Sequence, residues 1–350
     1  MAADGRATTI RDVARAAGVS VASASRALNG HRNVADAMRL RVKEAAHALD
    51  YVPHLGARSL STRQTGTIGV VLPDLFGEFF SEMIRGIDSA AHRQGLQLLL
   101  SNMHGDARET EVALRAMRGR VDGLIVMSPN VGPEFLTRHL PETLPAVVIN
   151  GGAEGRSCIA VDSYAGARAA VAHLVERGAR KLAHIAGPAD NADAQERLRG
   201  FRDGAADLLG DADPIIFQGD FQDESGRTAG IALVRQRRGV DGVFAGNDMM
   251  AVGCLDALAD GGVRVPGEMM MVGFDDVPIA RYARPALTTM RVAIADLGRR
   301  AFERLQASIE APGAAPAPTE RVLPELIVRA STDRAIASDT NGTSNRHGRA

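Results

Sequence analysis

The chain has 350 residues, of which 45% are hydrophobic and 24% are charged, and it contains two cysteines. No apolar run approaches the roughly 20 residues that cross a bilayer, and Cys158 and Cys254 are too far apart in sequence to form a CxxC pair. These features exclude a helical membrane protein and a disulfide-stabilised secreted domain, so we expect a soluble chain with no membrane partner.

Charge is distributed unevenly along the chain. Residues 1–65 hold ten Lys and Arg against five Asp and Glu, a net charge of +5, and the remainder carries −6. A small basic domain joined to an acidic one is typical of a nucleic-acid-binding protein with a separate sensor. Residues 1–11 are polar and lack the apolar core of a secretory signal, which predicts a cytoplasmic protein.

The first 50 residues predict three short helices. Apolar residues in 10–17 follow the spacing of one buried helical face, and Gly18 ends that helix. Ser20 is a suitable N-cap for a second helix over 21–28, and a third is expected over 35–49.

This segment has the features of a helix-turn-helix, which are a small residue in the first helix, a glycine turn and apolar residues that lock the pair. Its second helix would enter the major groove, where Val21, Ala22 and Arg26 would face the bases. Short hydroxyl and amide side chains suited to phosphate oxygens are Thr9, Ser20, Ser23, Ser25 and Asn29. A three-helix interaction domain remains the alternative.

Residues 61–66 form a polar linker, after which buried strands alternate with amphipathic helices. Strands are predicted at 67–72, 97–100, 123–127, 146–149, 181–186, 213–217, 242–245 and 269–274. Helices are predicted at 79–94, 109–118, 164–177, 224–235 and 248–260. Such alternation indicates parallel sheets with helices on both faces, and its length indicates two lobes with a cleft.

The predicted fold class is thus an N-terminal all-α helix-turn-helix headpiece followed by a two-lobed α/β core. The expected domains are the headpiece at 8–50, a linker at 51–65, and a core at 66–331. Lobe one is expected at about 66–162 and 291–331, and lobe two at 163–290. The tail, 332–350, has the composition of a disordered segment.

Several motifs together resemble the lactose-repressor (LacI) family. They are TIRDVARAAGVSVASASRALNG (9–30), YVPHLGARSL (51–60), IGVVLPD (68–74), FAGNDMMAVG (244–253), VGFDD (272–276) and PALTT (285–289). The resemblance covers residues 8 to about 331 and implies a transcriptional regulator, most often a repressor, whose core is similar to periplasmic sugar-binding proteins. It also implies binding to a double-stranded, pseudo-palindromic DNA operator as a homodimer.

The resemblance further implies a hinge helix that inserts a leucine into the minor groove. His54, Ala57 and Leu60 occupy the matching positions, and an inserted apolar side chain kinks DNA at the contacted step. This chain has His54 where family members usually have asparagine, and Gly77-Glu78 where many relatives have Asn-Pro before two phenylalanines.

The family's effector site falls on side chains that follow the predicted strands or lie on a helix of the second lobe. By position these are Asp74, Phe79, Asn102, Arg197, Phe221, Asn247 and Asp275. Carboxylate and amide groups with aromatic neighbours suit a polyhydroxylated small molecule, so a sugar or a sugar acid is expected.

Catalysis is not expected. The adjacent Asp275 and Asp276 would point apart, and the sequence contains no GxSxG, no GxxxxGK[ST] and no HExxH motif. No catalytic residue, metal site or cofactor is therefore predicted. The alternative to a regulator is a cytoplasmic small-molecule-binding protein without specific DNA binding.

Overall fold

The computed structural model describes residues 8–28, 33–51, 64–103, 106–236 and 239–333. The chain divides into two compact units, Met1–Gly66 and Thr67–Ala350. Within the described ranges, no helix has the length and apolar character needed to traverse a bilayer.

The described residues of the first unit contain three helices, α1 (Ile10–Ala16), α2 (Val21–Leu28) and α3 (Asp36–Ala48). A capping box begins α1, because the Asp12 carboxylate accepts hydrogen bonds from both the amide and the hydroxyl of Thr9. Gly18 adopts φ +63° in the turn, and Ser20 Oγ accepts the Ser23 amide at 3.1 Å to begin α2. Small buried side chains, including Ala24 and Ala27, let the helices pack closely.

The second unit contains two six-stranded sheets covered by helices. The strands are β1 (Thr67–Leu72), β2 (Gln97–Asn102), β3 (Gly123–Met127), β4 (Ala146–Ile149), β5 (Ser157–Val161), β6 (Leu182–Ala186), β7 (Ile215–Gln218), β8 (Gly242–Ala245), β9 (Met270–Asp275), β10 (Thr288–Arg291), β11 (Glu320–Val322) and β12 (Glu325–Ile327). The helices are α4 (Glu78–Arg93), α5 (Ala107–Met117), α6 (Pro133–His139), α7 (Ser163–Glu176), α8 (Ala192–Leu209), α9 (Asp223–Gln236), α10 (Asp248–Asp260), α11 (Ile279–Tyr282) and α12 (Ile294–Glu310).

Each sheet is the centre of one lobe. The first has the strand order β11-β5-β4-β3-β1-β2 and the second has the order β12-β10-β9-β8-β6-β7. All strand pairs are parallel except β10 with β12. This predominantly parallel arrangement agrees with the predicted fold class, and it directs the carboxyl ends of the strands toward the cleft between the lobes.

The chain crosses between the lobes three times, after β5, after β10 and after β11. Residues 325–331 lie with the second lobe, although the sequence analysis placed them in the first. The reason is pairing: β12 is hydrogen-bonded to β10, and Ser331 Oγ donates to Met271 O at 2.6 Å while accepting the Thr288 amide at 2.8 Å.

Glycines allow the helices that cover each sheet to approach closely. A Cβ on Gly86 of α4 would overlap the carbonyl of Ala295 at the start of α12. A Cβ on Gly226 of α9 would overlap the carbonyl of Met250 in α10. These contacts let neighbouring helices on the sheets pack closely against each other.

Candidate functional site

A cavity of about 90 Å³ lies in the cleft of the second unit. Both lobes contribute to it. The lining residues are Pro73, Phe79, Phe80, Met127, Pro129, Asn150, Asn191, Asp193, Arg197, Phe221, Asn247 and Asp275. Five of these, Phe79, Arg197, Phe221, Asn247 and Asp275, are residues that the sequence assigned to an effector site.

Arg197 is the central cation of the cavity and is almost fully buried on α8. Its Nη1 donates to Gly246 O at 2.5 Å, its Nε to Ser163 Oγ at 3.4 Å, and its Nη2 lies 3.5 Å from Asp275 Oδ1. The guanidinium carbon also lies 3.8 Å from the centre of the Phe274 ring. These contacts hold the guanidinium group in one orientation.

Asp275 ends β9 with a left-handed backbone, φ +105°, and is 5% exposed. Burial raises the pKa of its carboxyl group from 3.8 to about 7, an effect that Arg197 opposes and Asp193 reinforces. The carboxyl group is therefore partly protonated near neutral pH and can both donate and accept hydrogen bonds.

Two further aspartates support the turn after β9. Asp248 is fully buried and accepts Thr289 Oγ1 at 2.5 Å and the Val277 amide at 2.9 Å. Burial, followed by the charge of Asp275, raises the pKa of Asp248 well above its usual value. Asp276 accepts hydrogen bonds from Arg291 and Arg329 at 2.7 and 2.6 Å.

Asn247 shapes the cavity through its contacts with the protein. Its Oδ1 accepts the Met250 amide at 3.0 Å and caps α10, and its Nδ2 donates to Phe221 O at 2.9 Å. Phe221 is thereby held with φ +71°. Gly187 makes room for it, because a Cβ there would overlap the Phe221 ring.

The structure adds three polar residues that the sequence did not assign to the site. Asn191 caps α8 by accepting the Ala194 amide at 3.0 Å. Asn150, in the first lobe, accepts the Val161 amide at 2.9 Å and is hydrogen-bonded to Asp193 in the second. Asp193 precedes Arg197 by one helical turn, and this spacing was the available signal in the sequence.

Asp74 and Asn102 do not line the cavity, although both were predicted there. Asp74 Oδ1 accepts the amides of Leu75 and Phe76 at 2.7 and 3.1 Å, so its side chain organises its own turn. Asn102 ends β2, which is the edge strand of the first sheet and lies beyond β1.

Polar contacts join the two lobes at the rim of the cleft. Glu78 Oε2, at the start of α4, accepts the Ile279 amide of α11 at 2.9 Å. Elsewhere on the rim, Asn130 Nδ2 donates to Asp190 Oδ2 and the Ala192 amide donates to Pro129 O, both at 3.0 Å. Glu78, which stands in the pair Gly77-Glu78 where many relatives have Asn-Pro, therefore makes a contact between the lobes.

In the first unit, α2 presents the side chains predicted to face DNA bases. Val21, Ala22 and Arg26 are exposed, whereas Ala24 and Ala27 face the core. Arg26 Nε donates to Ala22 O at 3.3 Å and so lies along its own helix.

The residues predicted to contact phosphates differ in their exposure and in their hydrogen bonds. Ser20 is exposed and donates to Ser23 Oγ at 2.9 Å, whereas the hydroxyl of Thr9 donates to Asp12. Ser23 and Ser25 are half-buried. Asn29 and the predicted hinge residues His54, Ala57 and Leu60 lie outside the described residues.

In the described ranges, no cluster of His, Cys, Asp and Glu could hold a metal ion. Both cysteines are buried, and burial raises the pKa of Cys254 to about 12. A thiol with so high a pKa is unreactive at neutral pH.

Comparison with known proteins identifies two domain families. Residues 9–54 match "Bacterial regulatory proteins, lacI family", and residues 171–332 match "Periplasmic binding protein-like domain". The chain is 36% identical over 300 residues to the HTH-type transcriptional regulator GalR of Salmonella typhimurium LT2, covering 84% of this chain and 87% of the relative. It is 34% identical over 304 residues to the HTH-type transcriptional repressor PurR of Vibrio atlanticus, covering 85% and 90%.

Solved structures show the same architecture. A lac repressor dimer bound to operator and the anti-inducer ONPF is similar with a TM-score of 0.83 at 25% identity, covering 93% of this chain and 99% of that chain. A complex of the transcriptional regulator CelR with cellobiose is similar with a TM-score of 0.68 at 30% identity, with the same coverage of each chain.

Proposed function

Since the chain belongs to the LacI family and is a DNA-binding transcriptional regulator, we propose that it represses transcription from a pseudo-palindromic operator and is switched by a small molecule bound in the cleft. The observation that carries the proposal is the combination, in one chain, of an exposed helix-turn-helix and a cavity lined by aromatic and polar side chains at the strand ends of two lobes. Its relatives are regulators rather than enzymes.

DNA binding is proposed to occur through α2. Val21, Ala22 and Arg26 would contact base edges, with Arg26 able to form a bidentate pair with guanine. Phosphate contacts are proposed for Thr9, Ser20, Ser23, Ser25 and Asn29, and minor-groove contacts for His54, Ala57 and Leu60. The +5 charge of residues 1–65 supports this assignment, since phosphate neutralisation supplies much of the affinity for DNA.

The proposed effector is a polyhydroxylated molecule, a sugar or a sugar acid. Supporting this, the cavity is lined by a buried guanidinium, two carboxyl groups and three asparagine amides beside aromatic rings. Such groups can form hydrogen bonds with several ligand hydroxyls at once, so that no buried polar atom is left without a hydrogen-bond partner. CelR, one of the similar structures, is complexed with cellobiose.

The switch is proposed to act through the angle between the lobes of each subunit in a cytoplasmic homodimer. Because Arg197 and Asp275 belong to the second lobe and Phe79 and Asn150 to the first, a ligand in the cavity would contact both. Its affinity would therefore differ between open and closed arrangements, and this difference is what couples effector binding to operator binding.

The test is operator binding by fluorescence anisotropy. A palindromic site selected from random DNA is titrated with the protein in the presence of a panel of sugars and sugar acids. A compound that changes the operator affinity at least tenfold, about 1.4 kcal/mol of coupling, supports the proposal. If no DNA is bound above the nonspecific background with any compound, the chain is a small-molecule-binding protein and the proposal is refuted.

A further inference from the structure

Asp193 places a second carboxylate beside the guanidinium of the cavity. It lies on α8, one turn before Arg197, and lines the cavity together with Asp275. Its Oδ1 lies 3.4 Å from Ser163 Oγ, and its side chain is hydrogen-bonded to Asn150 of the opposite lobe. Burial raises the pKa of Asp193, while the charge of Arg197 and these hydrogen bonds partly offset that effect.

Protein oxygens already occupy part of the hydrogen-bonding capacity of the guanidinium. Each of its three nitrogens already contacts a protein oxygen, on Gly246, Ser163 or Asp275. Among the cavity-lining residues that the structure describes, Arg197 is the one cation, and two aspartates line the cavity with it. At about pH 8, above the pKa of about 7 of Asp275, the charge of Asp275 balances that of Arg197 before a ligand enters, and an ionised Asp193 makes the cavity negative.

A carboxylate or phosphate on the ligand would add a third negative group to this buried cluster. Like charges that share a desolvated site oppose one another, and the cavity offers no further cation to compensate. A neutral ligand with many hydroxyls fits better, because each hydroxyl can donate to a carboxylate oxygen.

We propose that Asp193 determines effector specificity by excluding anionic ligands, so that the cleft accepts a neutral, hydroxyl-rich molecule. The inference rests on the proposed role of the cleft as the effector site and narrows its ligand class from sugars and sugar acids to uncharged sugars. Asp193 would act by direct electrostatic contact with the ligand at the position where the two lobes meet.

The test compares matched pairs of neutral and anionic sugars by isothermal titration calorimetry at about pH 8. The pairs are galactose and galacturonate, glucose and glucuronate, mannose and mannuronate, and cellobiose and cellobionate. For at least one pair, we expect the wild-type protein to bind the neutral member at least tenfold more tightly than the anion. In Asp193→Asn, this ratio should fall at least tenfold, mainly through tighter binding of the anion.

A matched control is Glu196→Gln, which removes one negative charge from the same helix. Glu196 pairs with Arg199 and does not line the cavity, so its replacement should leave the ratio unchanged. If Asp193 had a purely structural role, its replacement would weaken the binding of both members of a pair equally and would also leave the ratio unchanged. If Asp193→Asn is unstable by thermal unfolding, Asp193→Ser provides the same comparison.

Three outcomes would overturn the inference. Equal or tighter binding of the anion by the wild-type protein refutes it while leaving the effector cleft intact. An unchanged ratio in both Asp193 variants refutes the role of this residue. Failure of the wild-type protein to bind any member of any pair, with operator binding preserved, refutes the proposed sugar effector and the inference with it.

Discussion

Replacing Asp275 by asparagine should stabilise the protein at alkaline pH, although it removes a group proposed to bind the effector. The carboxyl group loses its proton near pH 4 in the unfolded chain, whereas burial raises its pKa to about 7 in the folded protein. Between these values the folded state binds more protons than the unfolded state. The stability of the wild-type protein therefore falls as the pH rises through this interval.

The magnitude follows from the width of the interval. Each pH unit between about pH 5 and about pH 7 lowers the free energy of unfolding by about 1.4 kcal/mol, and the slope levels off above the folded-state pKa. The contribution of Asp275 therefore falls by about 3 kcal/mol between about pH 5 and about pH 8. Asparagine has no proton to lose and lacks this dependence. The pH-dependent part of the Arg197 contact at 3.5 Å is already contained in the pKa of Asp275. The rest of its loss shifts the stability of the variant by a similar amount at each pH, because asparagine does not titrate.

The assay is guanidinium-induced unfolding followed by circular dichroism at about pH 5, 6.5 and 8. The stability of Asp275→Asn relative to wild type should increase with pH by about 3 kcal/mol. The charge of Asp193 raises the pKa of Asp275, and the charge of Asp275 raises the pKa of Asp248. Removal of the Asp275 charge ends both repulsions, which works in the same direction. Asp256→Asn, an exposed carboxylate on α10, serves as the control and should show no such trend. A difference for Asp275→Asn that is constant across pH would refute the reasoning.

Three further substitutions test other parts of the molecule. Glu78→Ala removes a charge-assisted hydrogen bond between the lobes and should weaken binding of the tightest sugar about tenfold by calorimetry, and unchanged affinity would contradict a role in closure. Arg26→Ala should reduce affinity for the selected operator by about 1–3 kcal/mol without a matching loss on scrambled DNA, measured by anisotropy. Gly226→Ala should destabilise the core by about 3 kcal/mol in guanidinium unfolding, because its Cβ would overlap the Met250 carbonyl. Gly132→Ala is its control, because a Cβ at Gly132 would extend into open space.

The strands that the sequence predicted best are those with continuous apolar burial. The bounds of β1, β3, β4 and β8 coincide with the predicted ranges, because each is a buried apolar run ended by polar residues or glycine. β10 was not predicted because it begins with two threonines. Both are fully buried only because their hydroxyls bond to Thr332 and Asp248, which are remote in sequence.

Site residues at the ends of central strands could be predicted from the sequence. The sequence did not show which strands the fold places at the edge of a sheet, and residues at the ends of those strands were predicted wrongly. Asp275 ends β9 and Asn247 follows β8, and both strands lie inside the second sheet. Asn102 follows an equally plausible strand that the fold places at an edge, and no local pattern distinguishes the two. Asp193 was missed because α8 was not delimited, so the residue one turn before Arg197 was not placed on its face.

Both sheets receive a strand from the same short stretch near the end of the described chain, β11 in the first sheet and β12 in the second. Ribosomes add roughly 5–20 residues per second and the N-terminal part emerges first, so the helices α1 to α3 can fold long before either sheet is complete. Synthesis that stops before residue 320 would release a DNA-binding unit without a finished sensor. A product terminated between α3 and β11 thus keeps the helices of the first unit but lacks a strand of each sheet in the second.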